Sequence, residues 1–190
     1  MGRTGTTRYA ILGALTFGSC SGYDIRRELE ETVGHFWAES FGQIYPVLRD
    51  LEREGLIVSA VAGTGRPDRR VHAITDAGRA ELRRWLAVAV DRSPPTRNET
   101  LLKVFFGSIV PPGVTLAHLD RLHRHALESL ATYRVIQGRL VGLDSHDPDR
   151  PYWLATVRYG VLHAEATAAW CVETAAQART TSPEPGSADR

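Results

Sequence analysis

Between Ser40 and Thr75 the chain reads SFGQIYPVLRDLEREGLIVSAVAGTGRPDRRVHAIT, and that run leaves few folds open. Ile44, Val47, Leu48 and Leu51 fall at i, i+3, i+4 and i+7, the spacing of one buried helical stripe. At about 100° per residue, Gly42, Tyr45, Pro46, Arg49 and Arg53 then lie on the opposite, solvent-facing side. Gly55 stops the helix as a left-handed glycine just past its end. Residues 56–61 and 71–75 read as strands. The loop between them, Gly63-Thr64-Gly65-Arg66-Pro67-Asp68-Arg69-Arg70, is basic. A helix with a polar, arginine-bearing outer face beside a basic hairpin suits a duplex groove and its flanking phosphates.

The flanking segments complete a recognisable order. Residues 1–7 are small and polar and read as a loose arm. Residues 9–15 predict a first helix, with Ile11, Leu12 and Leu15 toward a core. Ser21 is placed to cap a second helix, and Asp24 three residues on gives a capping-box pattern. Ile25, Leu29 and Val33 then repeat along one face. Ser40 is the expected cap of the third helix, and Pro46 lies in its early turns, where the ring costs least. Thr75 or Asp76 caps a fourth, with Leu82, Trp85 and Leu86 as its apolar stripe. Helix, helix, helix, strand, wing, strand, helix is a winged helix-turn-helix: three helices plus a two-stranded wing.

DRSPPTR at residues 91–97 is a Pro-rich linker that divides the chain into residues 1–90 and 98–179. The second part predicts three helices, so the fold class is mainly α. Residues 100–109 hold Leu101, Leu102, Phe105 and Phe106, and Pro111-Pro112-Gly113 breaks the chain. A long helix over 115–140 carries Leu119, Leu122, Ala126, Ser129, Tyr133, Ile136 and Leu140 at alternating +3/+4 steps, a coiled-coil-like seam. After a turn-rich break at 144–151, a last helix over 152–178 puts Tyr159, Leu162, Ala166 and Trp170 on one face. Residues 180–190 carry nothing to bury and are expected to be disordered. Three helices of this length bury little alone, and the simplest cover for their stripes is a second copy of the chain. Paired third helices would then address the two half-sites of a near-palindrome.

Composition narrows the function by exclusion. With 190 residues, 43% hydrophobic and 24% charged, the chain is that of an ordinary globular protein. No apolar run approaches the roughly 20 residues of a membrane span. The N-terminal apolar stretch continues into a helix stripe without a cleavage site, so a cytoplasmic location is expected. Cys20 and Cys171 match no metal or redox spacing and read as reduced thiols. His118, His123, His125, His146 and Asp147 offer no i, i+4 zinc pair. Neither a metal nor a cofactor is expected. A nucleophile elbow, a phosphate-binding glycine loop and a paired-carboxylate motif are all missing, which argues against an enzyme.

The candidate DNA-binding residues are therefore Gly42 and Gln43 at the helix N-terminus, Tyr45, Arg49 and Arg53 on its outer face, and Arg66, Arg69 and Arg70 on the wing. Asp50, Glu52 and Glu54 support an alternative: a winged-helix protein-interaction module, with the arginines as surface charge. Candidate ligand-binding residues are Phe105, His123, Tyr152, Trp153, Arg158, Tyr159, His163 and Trp170, aromatics with polar groups able to meet an acid.

Several runs carry a family resemblance: Ile11-Leu12-Gly13-Ala14-Leu15, Ser21-Gly22-Tyr23-Asp24-Ile25, Ile44 to Glu52 with its internal Tyr-Pro, Glu54-Gly55-Leu56-Ile57, Gly65-Arg66-Pro67 and Ile74-Thr75-Asp76-Ala77-Gly78-Arg79. In that order and spacing the chain resembles the PadR family of transcriptional regulators, and the part after the linker resembles the larger C-terminal domain of the family's longer members. The resemblance implies a homodimer that represses promoters by binding double-stranded DNA. It also implies release of that DNA when a small aromatic acid or a flat hydrophobic molecule binds. Members carry an aromatic pair just after the wing, where this chain has Val71 and His72; the departure bears on the packing of the second wing strand.

Overall fold

A computed structural model of the chain describes residues 3–34, 36–37, 44–61, 70–90 and 98–180. They divide into two compact units, Met1–Ser93 and Pro94–Arg190. Residues 91–97, read as a linker, lie outside those described, as do residues 181–190 of the expected tail.

The first unit runs α1 (Arg3–Ala14), β1 (Cys20–Ser21), α2 (Gly22–Thr32), α3 (Ile44–Arg53), β2 (Ile57–Val61), β3 (Arg70–Ile74) and α4 (Asp76–Leu86). Its core collects Ile11, Leu12 and Leu15 from the first helical segment, Ile25 and Leu29 from α2, the whole α3 stripe, Ile57 and Leu82. The α2 start is the expected capping box: the Asp24 N–H donates to Ser21 Oγ at 3.3 Å, and the Ser21 N–H donates to Asp24 Oδ2 at 3.1 Å. The α3 end is a Schellman turn. Gly55 has φ of 72°, its N–H donates to the Glu52 carbonyl, and the Leu56 N–H donates to the Leu51 carbonyl at 2.9 Å. Thr75 caps α4 through the Gly78 N–H.

Three expectations are corrected here. The two wing strands, β2 and β3, belong to a three-stranded antiparallel sheet in the order β1-β3-β2, with Cys20 opposite His72 and Ile57 opposite Ile74. A two-residue strand is too short to show any alternation, so the sequence pattern misses β1. Helix α1 begins at Arg3, not near residue 9, and Thr7 within the expected loose arm is only 2% exposed. On α4, Leu82 is buried and Trp85 stacks on Tyr9 with ring centroids 4.5 Å apart, but Leu86 is exposed because the helix ends there.

The second unit holds α5 (Glu99–Phe105), a 3-10 turn (Gly107–Ile109), α6 (Pro112–Val141) and α7 (Arg150–Thr180). Asn98 caps α5 by accepting from the Leu101 N–H, and α5 stops at Phe105, short of residue 109. Pro112 starts α6 instead of breaking the chain, since a first-turn proline gives up an N–H that has no helical partner anyway. Arg150 closes the other end by donating to the Leu140 and Val141 carbonyls at 2.9 Å. The α6 seam is turned inward, with Leu119 and Ala126 buried and the other five positions half-buried. On α7 the buried positions are Val157, Gly160, Val161, Ala164, Ala168 and Cys171. Tyr159, Leu162 and Ala166 share a face, as the spacing predicts, but within one chain it faces outward, as do Leu101, Leu102, Phe105 and Phe106.

Candidate nucleic-acid interface

Four buried residues fix the rotation of α3: Ile44, Val47, Leu48 and Leu51 are each 5% exposed or less. With that side committed, Tyr45, Arg49 and Arg53 must point out, and Tyr45 is 58% exposed. Beside this face opens a concavity of about 400 Å³, lined by Ser21, Gly22 and Tyr23 at the start of α2, by Tyr45, Leu48, Arg49 and Glu52 of α3, and by Arg70 and His72 of β3. Gly22 permits the close approach: a Cβ there would sit 2.9 Å from the Tyr45 ring.

The charges differ in how they are held. Arg53 pairs along its own helix with Asp50 at 2.9 Å, and Arg70 lies 3.6 Å from Glu52. Arg49 makes no ion pair among the described residues. His72 is buried, and its Nδ1 lies 2.8 Å from Ser59 Oγ across the β2–β3 ladder. Burial pushes the imidazole below the usual histidine range, Glu52 pulls the other way, and Arg70 adds to the depression. The second wing strand is thus packed by a hydrogen-bonded histidine at a position of the aromatic pair in the family pattern.

Of the eight residues singled out from the sequence, the structure brings Tyr45, Arg49 and Arg70 to one concavity. Arg53 lies a turn beyond Arg49 on α3 and does not line it. Gly42, Gln43, Arg66 and Arg69 lie outside the described residues. Sequence reasoning missed Tyr23, Glu52 and His72. Glu52 had a signal, since it follows Arg49 at i+3 on the same helix side; His72 had only its place in the strand alternation.

Residues 11–84 match the family model "Transcriptional regulator PadR-like family", and residues 96–179 match "Virulence activator alpha C-term". A relative from Mycobacterium tuberculosis (strain ATCC 25618 / H37Rv), "Probable transcriptional regulator Rv1176c", is 30% identical over 178 residues, 88% of this chain and 94% of that protein. The chain belongs to the PadR-like family of transcriptional regulators. The "Negative transcriptional regulator PadR" of Bacillus subtilis (strain 168) is 38% identical over 101 residues, covering 52% of this chain and 55% of that one. The crystal structure of Bacillus subtilis PadR in complex with operator DNA superposes with a TM-score of 0.80 at 25% identity, covering 91% of this chain and 99% of that one. PadR-like proteins are regulators, not enzymes.

In this PadR-like chain the candidate ligand residues are spread out. Tyr152 and Trp170 stand 18 positions apart on α7, about 27 Å along a helix axis. Tyr159 and His163 share a face with ring centroids 6.2 Å apart, and Phe105 on α5 packs edge-on against Phe106. His123 alone among them borders a cavity of about 150 Å³ between α6 and α7, beside Leu119, Cys171 and Arg179. Trp153 is half-buried and Arg158 exposed. Among the described residues, no helix is long and apolar enough to cross a membrane, and no three His, Cys, Asp or Glu side chains are grouped to hold a metal ion.

Proposed function

We propose that this regulator is a dimeric repressor that places α3 in the major groove of a near-palindromic operator and the wing on adjacent phosphates. The observation that carries this reading is the shared concavity: Tyr45 and Arg49 project from a helix whose opposite side is fully buried, with Arg70 of the wing strand at the same opening. That arrangement supplies a groove-facing helix and flanking cations from one rigid unit. The relative crystallised with operator DNA has the same architecture over nearly its whole length, which supports duplex DNA as the partner. Bound to chromosomal DNA, the protein acts in the cytoplasm.

Dimerisation is supported by the outward apolar faces of the second unit, on α5 and α7. A C2 dimer would present two α3 helices at about 34 Å or a multiple of it, the spacing of successive major-groove faces. A small aromatic or hydrophobic molecule that binds better to a dimer of different spacing would shift the population off the operator.

Fluorescence anisotropy with labelled duplexes from the region upstream of its own gene tests this, titrated across salt and against scrambled duplex. The expected result is sequence-selective binding with a steep negative salt slope. Equal, weak binding to both duplexes would overturn it.

A further inference from the structure

His72 occupies the centre of the three-stranded sheet, paired in register with Cys20 on one side and Ser59 on the other, and is 7% exposed. Its imidazole nevertheless lines the concavity that holds Arg49 and Arg70. The Ser59 hydroxyl can donate to a bare ring nitrogen or accept from a protonated one, so the 2.8 Å contact is compatible with either charge state.

The groups facing His72 come from every neighbouring element. Helix α3 presents the Tyr45 phenol, Arg49 and Glu52; β3 presents Arg70; β1 presents the Cys20 thiol; β2 presents only the Ser59 hydroxyl. From α2 comes Tyr23, while Asp24 is turned back onto Ser21. In the free protein, burial and Arg70 disfavour the protonated imidazole against the pull of Glu52.

A phosphate in the concavity would change that balance. Glu52 is the carboxylate lining it, and Arg70, 3.6 Å away, is its partner. A docked phosphate draws Arg70 and Arg49 toward itself and leaves Glu52 facing a second anion. Two anions in a partly desolvated site repel strongly, and a proton on a neighbouring group in the same concavity relieves the repulsion. The imidazole is the group in place to accept it near neutral pH. We propose that His72 takes up a proton when a DNA backbone phosphate docks in this concavity, so that operator binding tightens as pH falls. The proposal rests on the reading of α3 and the wing as the duplex interface.

The test uses the full chain and the tightest duplex found in the anisotropy assay. Kd is measured at about pH 8 and about pH 6 for the unmodified protein, His72→Gln and His72→Tyr, with circular dichroism as the fold control. One linked proton permits up to about tenfold per pH unit. The unmodified protein is expected to tighten by at least about threefold more than either variant over that interval. Comparison with the variants cancels the contribution of the other histidines. Titration calorimetry near neutral pH in two buffers of different ionisation enthalpy adds a direct readout: net proton uptake on binding, reduced in His72→Gln. Equal pH dependence in all three proteins, or no proton uptake by the unmodified protein, overturns the proposal while leaving the interface intact. If no duplex is bound selectively at either pH, the interface reading falls and takes the proposal with it.

Discussion

On α4, Gly78 lies so close to Leu56, the residue just before β2, that a Cβ on the glycine would sit 2.1 Å from the Leu56 carbonyl oxygen. Thr75 Oγ1 ties the same corner, donating to that carbonyl at 3.0 Å and accepting from the Gly78 N–H at 3.1 Å. Any side chain at position 78 therefore pushes α4 outward, and with it Leu82 and Trp85, which close the core. Gly78→Ala is expected to lower stability by about 1–3 kcal/mol, the range for forcing extra atoms into a packed site. Gly13 in α1 has nothing within 4 Å of its Cβ position, so Gly13→Ala should instead raise stability by up to about 1 kcal/mol through helix propensity. Chemical denaturation of both variants decides: equal effects would show that the Leu56 contact is not what selects glycine.

A similar cradle in the second unit gives a prediction that changes sign. A Cβ on Gly160 of α7 would lie 2.9 Å from Cε1 and Cζ of Tyr133 on α6, a half-buried ring. Gly160→Ala alone should cost about 1 kcal/mol. In a Tyr133→Ala background the same change should gain about 0.5–1 kcal/mol, because only the propensity of alanine over glycine remains. A double-mutant cycle without that reversal would show that the two residues are not in contact.

Much of the first unit was legible because its signals are local. Four apolar residues at helical spacing gave α3, Ser21 and Asp24 gave the start of α2, and Gly55 gave its neighbour's end. The parts that escaped depend on tertiary contact. Strand β1 exists only because Cys20 and Ser21 lie alongside His72 and Val71. The extra turn of α1 has no apolar stripe to announce it, and Thr7 is buried by its neighbours. In the second unit the period of α7 was read correctly, yet periodicity does not say which of two small-or-apolar stripes meets α6. The alanine- and glycine-rich side does, because small residues let the two helices approach closely.

The outward stripe on α7 tests the dimer. Tyr159 is 67% exposed and Leu162 49% exposed in the single chain. If a second copy covers this face, Leu162→Glu would bury a charge at the interface and should shift the protein to a monomer in sedimentation analysis, at little cost to the fold of each chain. An exposed, uninvolved position would tolerate the same change with a stability effect within about 0.5 kcal/mol. An unchanged mass would remove this face from the interface.

His72 also predicts how the free protein responds to acid. The folded chain holds this imidazole below its usual range, so between the two values the unfolded chain binds the extra proton and the folded chain does not. The stability associated with His72 is therefore complete above about pH 6.5, the unperturbed value. It is lost as pH falls from there through the lower folded-state value. Denaturation midpoints between about pH 7.5 and pH 5 should fall less steeply for His72→Gln than for the unmodified protein. Parallel slopes would show that the buried ring is not a source of acid sensitivity.

The two outer arginines of α3 should not contribute equally to operator binding. Arg53 is already engaged with Asp50 at 2.9 Å on the helix surface, whereas Arg49 opens onto the concavity with no ion-pair partner among the described residues. Reaching a phosphate requires Arg53 to give up one anion for another; Arg49 makes a new pair. Arg49→Ala is therefore expected to weaken operator binding more than Arg53→Ala, by roughly 1–3 kcal/mol if Arg49 reads a base. Both variants should keep the fold, since neither side chain is buried, unlike Leu48→Ala, which removes a core residue at a cost of roughly 2–5 kcal/mol. The pattern of loss across operator variants distinguishes the two modes of contact. A base contact relaxes specificity at one position, whereas a phosphate contact weakens all sequences alike and lowers the salt slope by about one. A larger loss from Arg53→Ala would mean that the Asp50 pair opens on binding and that the duplex lies further along α3 than the concavity implies.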